Sequence, residues 1–365
     1  MSLQQALLPK VFCDIDACAV TLHCHIQSLC FASAEMDYPT SSMSVSNPVD
    51  DGLHNNNNPH TKYSDFVQVA ALSIGIPIII FGVLGNLMTI IAVMTTKMLR
   101  TGENIFIISL SIFDLMHVII VIPTILSVIW NNSWVFGNVY CHTYSLVLIL
   151  ILGGNMMSLS GTSFSRYLKI IHPTAFRLVF GSKLNFAIFM GSFLSVPVLI
   201  ALPPVIGVWG KLGYNPKTII CTYTHDNSGG YTTFLMLFAI IVPIMIISYC
   251  YLRILHKVCS NRRKVQAGRP AGDQPVALRE DLRYTRMMVS IFLVFLLSCT
   301  PFVTINLIDP HAAHMTARFF TMVCFWLSSC VNPFLYGLLN RNFRQAYLNI
   351  YKHLKAVITS TCRAE

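Results

Sequence analysis

The sequence TSFSRYLKIIHP, residues 162–173, marks the point where a long apolar run gives way to charge. The run begins near Val139, and Arg166, Lys169 and His172 stand at its end. This pattern is typical of a membrane-spanning helix, because Lys and Arg collect on the cytoplasmic side. The composition agrees, since 54% of the 365 residues are hydrophobic and only 11% are charged. That balance excludes an ordinary soluble globular protein.

Seven segments of the chain are long and apolar enough to cross a bilayer. A bilayer core of about 30 Å requires about 20 helical residues, so each segment fits one tilted helix. We number them helix one to helix seven, over residues 66–94, 104–129, 139–165, 183–206, 231–255, 284–308 and 315–339. The sequence therefore predicts an all-α, seven-helix transmembrane bundle at 66–339, between a largely disordered N-terminal tail at 1–65 and a C-terminal tail at 340–365.

The basic residues predict the orientation of this bundle. An extracellular N-terminus puts most of the 25 Lys and Arg residues into the inner loops and a cytoplasmic C-terminal tail, as the positive-inside tendency requires. The net charge of +10 is then a topology signal that also attracts anionic membrane lipids. It does not indicate nucleic-acid binding, because the chain has no soluble basic domain. We expect a multi-pass protein of the plasma membrane.

Within the predicted bundle, two cysteines lie on the outer side. Cys141 begins helix three, and Cys221 lies in the outer loop between helices four and five. The outer side is oxidising, so we expect a disulfide that ties this loop to helix three; two unpaired thiols are the alternative. Helix three then spans roughly 37 Å from Cys141 to Arg166, a bilayer with its headgroups.

A series of short motifs follows in chain order, each at the matching end of its helix. They are GNLMTI in helix one, SLSIFDL in helix two, WVFG in the first outer loop, SRY in helix three, CTPF in helix six, NPFLY in helix seven and NRNFRQAY after it. On these motifs the chain resembles the rhodopsin-like G-protein-coupled receptors over about residues 66–350. The resemblance implies a receptor, with no enzyme activity, that activates heterotrimeric G proteins and binds arrestin. It also implies a short amphipathic eighth helix in the C-terminal tail.

The resemblance assigns the inner switch to five residues, Arg166, Tyr167, Tyr251, Asp281 and Tyr336. At rest, Arg166 is expected to pair with Asp281 at the inner end of helix six. In the family, an outward swing of helix six frees this arginine and opens a cleft for the G protein. Alternatively, Arg166 only snorkels and ends its helix. Because Ser165 replaces the usual acid beside Arg166, Asp281 is the only obvious counter-charge, and we expect high ligand-free activity.

Asp114 is the only carboxylate in the middle of any predicted span. An ionised side chain there costs about 2.5–3.5 kcal/mol or more, and such residues usually mark a pathway or a site. The side chains expected around it belong to Asn86, Asn155, Ser329 and Asn332. One carboxylate with several oxygen ligands suits a sodium ion, as in the family, and no other cofactor is expected. A hydrogen-bonded packing cluster without an ion is the alternative.

Three prolines lie in helices five, six and seven, at Pro243, Pro301 and Pro333. A proline within a spanning helix frees a backbone carbonyl and bends the helix. We expect hinges that let an outer ligand rearrange the inner helix ends, although static kinks are the alternative.

Two residue types that other receptors use to bind their ligands are absent from the expected positions. Helix three contains no acid to pair an amine, and helix seven contains no lysine for a retinal Schiff base. The expected pocket is mainly apolar with a polar rim. Its members are Leu148, Ile149, Leu152, Leu235, Phe302, Asn306, Arg318, Met322 and Trp326. A lipid or fatty acid paired with Arg318 is our hypothesis, while Arg318 snorkelling at the outer interface is the alternative.

Two longer stretches refine the resemblance within the family. RYTRMMVSIFLVFLLSCTPF and WLSSCVNPFLYGLLNRNFRQAY are similar to the Moody-type insect receptors, the medium-chain fatty-acid receptor and, more distantly, the melatonin receptors. SRY and NPFLY depart from the melatonin-receptor patterns NRY and NAxxY, which weakens that ligand assignment. A peptide ligand and ligand-independent signalling stay open. A transporter is disfavoured because the seven spans show no internal repeat.

Overall fold

The computed structural model describes residues 62–215, 219–223, 229–266, 276–308 and 315–364. Seven of its helices are long and apolar enough to cross a membrane, which confirms the predicted all-α bundle. Helices one to four are Asp65–Thr95, Gly102–Asn131, Gly137–Ile171 and Lys183–Val205. Helix five comprises Gly229–Met236, Leu237–Ile241 and Val242–Gln266, helix six is Val276–Ile308 and helix seven is Met315–Leu339. We call the end of the bundle at Cys141 the outer end and the end at Arg166 the inner end.

The described structure also contains a loop helix, an eighth helix, a β-hairpin and a short 3₁₀ turn at Lys97–Leu99. A short helix at Pro173–Phe180, the loop helix, connects helices three and four. The predicted eighth helix is present as Arg341–Ala364. Strands β1 (Leu212–Asn215) and β2 (Ile220–Tyr223) form an antiparallel hairpin that the sequence analysis did not predict.

Helices two and five each contain one π-helical turn, at His117–Val121 and Leu237–Ile241. A proline follows each turn almost at once, Pro123 in helix two and Pro243 in helix five. Proline has no N–H to donate to the carbonyl four residues earlier, and that carbonyl lies inside the π turn in both helices. Each irregular turn therefore coincides with a gap in the helical hydrogen bonding that a proline leaves, and it changes which side chains the outer part of the helix presents.

Helix three forms the centre of the bundle, and its buried face is rich in small polar residues. The hydroxyls of Ser158, Thr162 and Ser165 each donate to a backbone carbonyl three or four residues earlier, at 2.7 to 2.8 Å. These bonds satisfy the hydroxyls within the helix, as a water-poor interior requires. Large apolar side chains instead face outward, for example Phe81 on helix one and Phe334 on helix seven.

Buried apolar side chains form two main groups, one toward each end of the bundle. The outer cluster joins helices one, two, three and seven, and it includes Tyr63, Tyr144, Met322 and Trp326. The inner cluster joins helices one, two, three, five, six and seven with helix eight. Helix eight is amphipathic, because Phe343 and Ala346 are buried in this cluster while Lys352 and Lys355 are exposed.

Candidate functional site

The polar core of the bundle is built around Asp114, which is 2% exposed. The Asn155 side-chain amide donates to one carboxylate oxygen at 3.2 Å, and the Asn332 amide donates to the other at 2.8 Å. The Ser329 hydroxyl also bonds this carboxylate. Helices two, three and seven therefore meet at a single acid, and three of its four expected neighbours contact it directly.

Asn86 reaches the same core from helix one without touching Asp114 itself. Its amide donates to the backbone carbonyl of Ser329 at 2.8 Å and to that of Gly82 at 2.9 Å. His117 joins from helix two, with its Nδ1 atom 2.8 Å from the Ser329 hydroxyl. His117 was not predicted from the sequence, although its position three residues after Asp114 places both on one helix face.

Two buried amide oxygens of the polar core are unsatisfied. The Oδ1 atoms of Asn86 and Asn155 have no hydrogen-bond partner within the described part of the chain. The Ser111 hydroxyl, also buried, has none there either. Buried oxygens are normally hydrogen-bonded, so these atoms point to a bound water or cation.

At the inner end, Arg166 forms a salt bridge with Glu103. Both side chains are buried, at 5% and 4% exposure, and Lys169 approaches the other Glu103 oxygen at 3.4 Å. The expected partner, Asp281, lies on helix six at a position whose side chain is outside the described residues. Because Glu103 pairs with Arg166, the expectation that Asp281 is the only obvious counter-charge of Arg166 was wrong. Glu103 is an acid directly after a basic inner loop, and that contrast is the signal in the sequence that points to it.

Tyr284 connects this pair to helix six. The Arg166 guanidinium carbon lies 3.3 Å from the centroid of the Tyr284 ring, a cation–π contact. The Tyr284 hydroxyl donates to the Asn104 side-chain oxygen at 3.0 Å. Adjacent residues at the start of helix two thus hold Arg166 of helix three and Tyr284 of helix six.

The other three switch residues lie in the inner half of the bundle. Tyr251 and Tyr336 are buried in the inner cluster, where the Tyr336 ring stacks on Phe343 at 5.1 Å. Tyr167 is only half-buried and packs against Tyr249 of helix five at 5.8 Å. Tyr251 and Tyr336 therefore share the inner cluster with Tyr284, and Tyr167 packs against the edge of this cluster and against helix five.

The three predicted hinge prolines lie within their helices. Pro301 is inside helix six and Pro333 inside helix seven, while Pro243 lies two residues after the π turn of helix five. Helix one packs closely beside Pro333, since a Cβ atom added at Gly85 would lie 3.0 Å from that ring. Their action as hinges stays a prediction.

The outer end is organised by Tyr63 and the first outer loop. The Tyr63 backbone N–H donates to the Asn132 side-chain oxygen at 2.6 Å, and the Asn132 amide returns a bond to the Tyr63 carbonyl at 3.3 Å. The Tyr63 side chain enters the outer cluster. Burial raises its pKa to about 12, and the positive charge of Arg318 opposes this rise. The segment before helix one thus covers the region of Arg318.

The expected ligand-pocket residues fall into two neighbouring groups. Leu148, Phe302, Met322 and Trp326 pack in the outer cluster, whereas Ile149 and Leu235 belong to a smaller cluster between helices three, four and five. Arg318 is 4% exposed, so its guanidinium is buried and does not snorkel to the surface. Leu152 is half-buried on helix three, and the side chain of Asn306 is outside the described residues.

Cys141 and Cys221 form the predicted disulfide. Cys221 lies in β2 opposite Tyr214 of β1, so the bridge ties the outer hairpin to the start of helix three. Both half-cystines belong to the outer cluster, which places the hairpin directly above it.

This combination of a central helix-two acid, an inner helix-three arginine and an outer disulfide matches one protein family. The sequence profile described as "7 transmembrane receptor (rhodopsin family)" covers residues 85–336. The chain belongs to the rhodopsin family of seven-transmembrane receptors. It is therefore a signalling receptor of the G-protein-coupled type, embedded in the plasma membrane by several spans.

Relatives of this receptor include several melatonin receptors. The melatonin receptor type 1A of Mus musculus is 32% identical over 298 residues, covering 79% of each chain. The type 1B receptor of Mus musculus is 33% identical over 273 residues, or 73% of each chain. The type 1B-B receptor of Danio rerio is 31% identical over 77% of this chain and 82% of its own. Squid rhodopsin shares the fold, with a TM-score of 0.67 at 22% identity over 81% of this chain and 90% of its own.

Proposed function

We propose that this receptor binds an amphiphilic ligand with an anionic head, such as a fatty acid, at the outer end of the bundle. The buried guanidinium of Arg318 supports the proposal, because it lies near Tyr63 of the outer cluster, where an anionic head could add a charge-assisted hydrogen bond to its existing contacts. The ligand's apolar part would lie along the half-buried and buried members of the expected pocket, such as Leu148 and Trp326.

Two phenol groups in the outer cluster support an anionic head. The hydroxyls of Tyr63 and Tyr144 are buried and have no hydrogen-bond partner among the residues that the structure describes. A carboxylate accepts hydrogen bonds from phenols and guanidinium alike. Arg318 lies near enough to Tyr63 for its positive charge to lower the pKa of that phenol, so these two residues are the first pair to test.

Ligand binding is transmitted, in this proposal, to the inner end through helices five, six and seven. Outward movement of helix six would open a cleft at Arg166 for the C-terminal helix of a G protein, and arrestin would compete for the same cleft.

The proposed orientation of the bundle places the N-terminus outside the cell and the C-terminal tail in the cytoplasm. Detection of a C-terminal epitope only after permeabilisation is the result expected for this orientation.

Purified receptor in nanodiscs provides the test of the ligand class, with decanoate as the probe and G-protein nucleotide exchange as the readout. Arg318→Gln is expected to weaken the decanoate response about tenfold or more, since a hydrogen bond to a charged group contributes about 1.5–3 kcal/mol. Lys62→Gln is the matched control, because Lys62 is an exposed cation at the same end. An unchanged response in Arg318→Gln would remove the proposal.

The names of the relatives make melatonin the comparison ligand for this assay. Melatonin carries no charge, so its binding does not require a guanidinium. A response to melatonin that survives Arg318→Gln, with no response to decanoate, would assign this receptor the ligand of its named relatives instead.

The polar core is also proposed to hold a sodium ion. The Asp114 carboxylate, the Ser329 hydroxyl and the unsatisfied Asn155 oxygen form an oxygen-rich set that fits this cation. Bound sodium would supply a positive charge that favours the resting arrangement of helices two, three and seven. If thermal stability still rises with sodium, relative to potassium, in Asp114→Asn as in the parent receptor, the ion is not bound there.

A further inference from the structure

A buried acid at the start of helix two belongs to neither the ligand site nor the polar core. Glu103 lies in the 3₁₀ turn Gly102–Asn104, and its side chain is only 4% exposed. This turn packs against the loop helix, since a Cβ atom added at Gly102 would lie 2.7 Å from Phe180. Burial of an unpaired carboxylate carries a large desolvation free energy, so the partner of Glu103 indicates its function.

That partner is Arg166, the residue that the inner switch depends on. Ser165 precedes Arg166 and cannot act as its counter-charge, because the Ser165 hydroxyl is neutral and donates to the Thr162 carbonyl at 2.8 Å. Glu103 approaches Arg166 from a different helix and places a carboxylate oxygen on the guanidinium. The negative charge missing at position 165 is thus supplied by the start of helix two.

Asn104, the next residue, holds helix six. Its side-chain oxygen accepts a hydrogen bond from Tyr284, and its amide is fixed by a 2.8 Å bond to the Leu99 carbonyl. The Tyr284 ring in turn lies against the Arg166 guanidinium. Movement of Tyr284 away with helix six would break both Tyr284 contacts, whereas the salt bridge between Arg166 and Glu103 joins helices two and three only.

We propose that Glu103 is the resting counter-charge of Arg166 in this receptor and that Glu103 and Asn104 together clamp helix six in its inward position. Glu103 keeps the guanidinium under the Tyr284 ring, and Asn104 holds the Tyr284 hydroxyl. The start of helix two thereby sets the level of ligand-free signalling. This inference rests on the G-protein coupling of the family, but the clamp itself can be measured without a G protein.

Ligand-free nucleotide exchange by purified receptor in nanodiscs tests the clamp. Glu103→Gln keeps the shape of the side chain and removes its charge, and we expect exchange to rise about fivefold or more. Adding Ser165→Asp to this variant is expected to restore the parent level, whereas adding Ser165→Asn is not. Asp65→Asn, an exposed acid at the outer end, is the matched control and should leave exchange unchanged.

The rescue separates a positioning role from a purely structural one. Where at least one receptor form accelerates nucleotide exchange, parent-level exchange in Glu103→Gln would overturn the proposal, as would an equal rescue by Ser165→Asp and Ser165→Asn. If Glu103→Gln does not fold, Asn104→Ala takes its place, because it removes the acceptor of Tyr284 and leaves the salt bridge intact. Its exchange should also exceed the parent level, and equal exchange would contradict the clamp.

Hydrogen exchange of backbone amides at the inner end of helix six provides the readout that needs no G protein. Glu103→Gln and Asn104→Ala are expected to accelerate amide exchange over residues 283–292 at least several-fold relative to the parent receptor. If no receptor form accelerates nucleotide exchange on any heterotrimer while this acceleration is observed, G-protein coupling fails and the clamp stands. Unchanged amide exchange in both variants would refute the clamp alone.

Discussion

Substitution of Gly161 by Ala tests the packing that positions helix three beside helix two. A Cβ atom at this position would lie 2.5 Å from Cζ and 2.6 Å from Cδ1 of Phe106, where ordinary contacts are at least 3.4 Å. The Phe106 ring would have to retreat by about 1 Å. It is fully buried and makes edge contacts with Phe189 at 5.7 Å and Phe193 at 6.0 Å, so it has no space to move into.

The expected cost of Gly161→Ala follows from two opposing terms. Overpacking a well-packed interior destabilises by about 1–3 kcal/mol. Replacing Gly by Ala within a helix contributes about 0.5–1 kcal/mol in the other direction. Because the contact involves a ring held by other rings, we expect the overpacking to dominate.

Gly191→Ala is the matched control for this substitution. Gly191 is an exposed helix-four residue with nothing within 4 Å of an added Cβ atom, so only the helix-propensity gain applies. The assay is the apparent unfolding midpoint of detergent-solubilised receptor, recorded at a single heating rate because the midpoint of an irreversible transition depends on that rate. We expect Gly161→Ala to unfold below the parent receptor and Gly191→Ala to unfold at or above it. Equal midpoints for the two variants would refute the packing argument.

Two further outcomes follow from other contacts. Cys141→Ser or Cys221→Ser should sharply lower the amount of folded receptor at the cell surface, because the disulfide closes a loop across a sequence separation of 80 residues and such bridges contribute about 2–5 kcal/mol; parent-like surface levels would contradict this. Tyr347→Phe should lower the unfolding free energy by about 1 kcal/mol, since it removes the 2.8 Å bond to the Thr89 hydroxyl that joins helix eight to helix one. A parent-like unfolding midpoint would show that this bond contributes nothing.

The helices of the fold were predictable because lipid imposes a simple rule on the sequence. Each span must be long, helical and apolar, and the seven predicted segments lie within or close to the observed helices. Their ends were less predictable. Helix three continues to Ile171, beyond the predicted end at residue 165, because backbone hydrogen bonding persists where hydrophobicity has already fallen.

The π turns and the outer hairpin could not be predicted from the periodicity of hydrophobic residues along the chain. The π turns at His117–Val121 and Leu237–Ile241 adjust one helix to its neighbours, and only the prolines that follow them gave a local signal. The outer hairpin is held by its disulfide and by pairing between two short strands, neither of which has a strong alternating pattern.

Some contacts of the candidate site could be predicted from the sequence, and others could not. Residues around Asp114 could be placed together because a buried acid requires polar partners and few polar residues lie at its depth. The contact between Glu103 and Arg166 could not be predicted, since it joins the start of helix two to a residue about 60 positions later in the chain. The pocket residues were placed by depth alone, so the division between the outer cluster and the cluster of Ile149 and Leu235 was not foreseen.

The most direct measurement is nucleotide exchange on purified heterotrimeric G proteins by the parent receptor and its Arg166→Ala variant, both in nanodiscs, with ion flux recorded in vesicles of the same preparations. Our account predicts that the parent receptor accelerates exchange on at least one heterotrimer, that Arg166→Ala abolishes most of this acceleration while remaining folded, and that neither form conducts ions. Exchange that is unaffected by Arg166→Ala, or ion flux without any exchange, would contradict it.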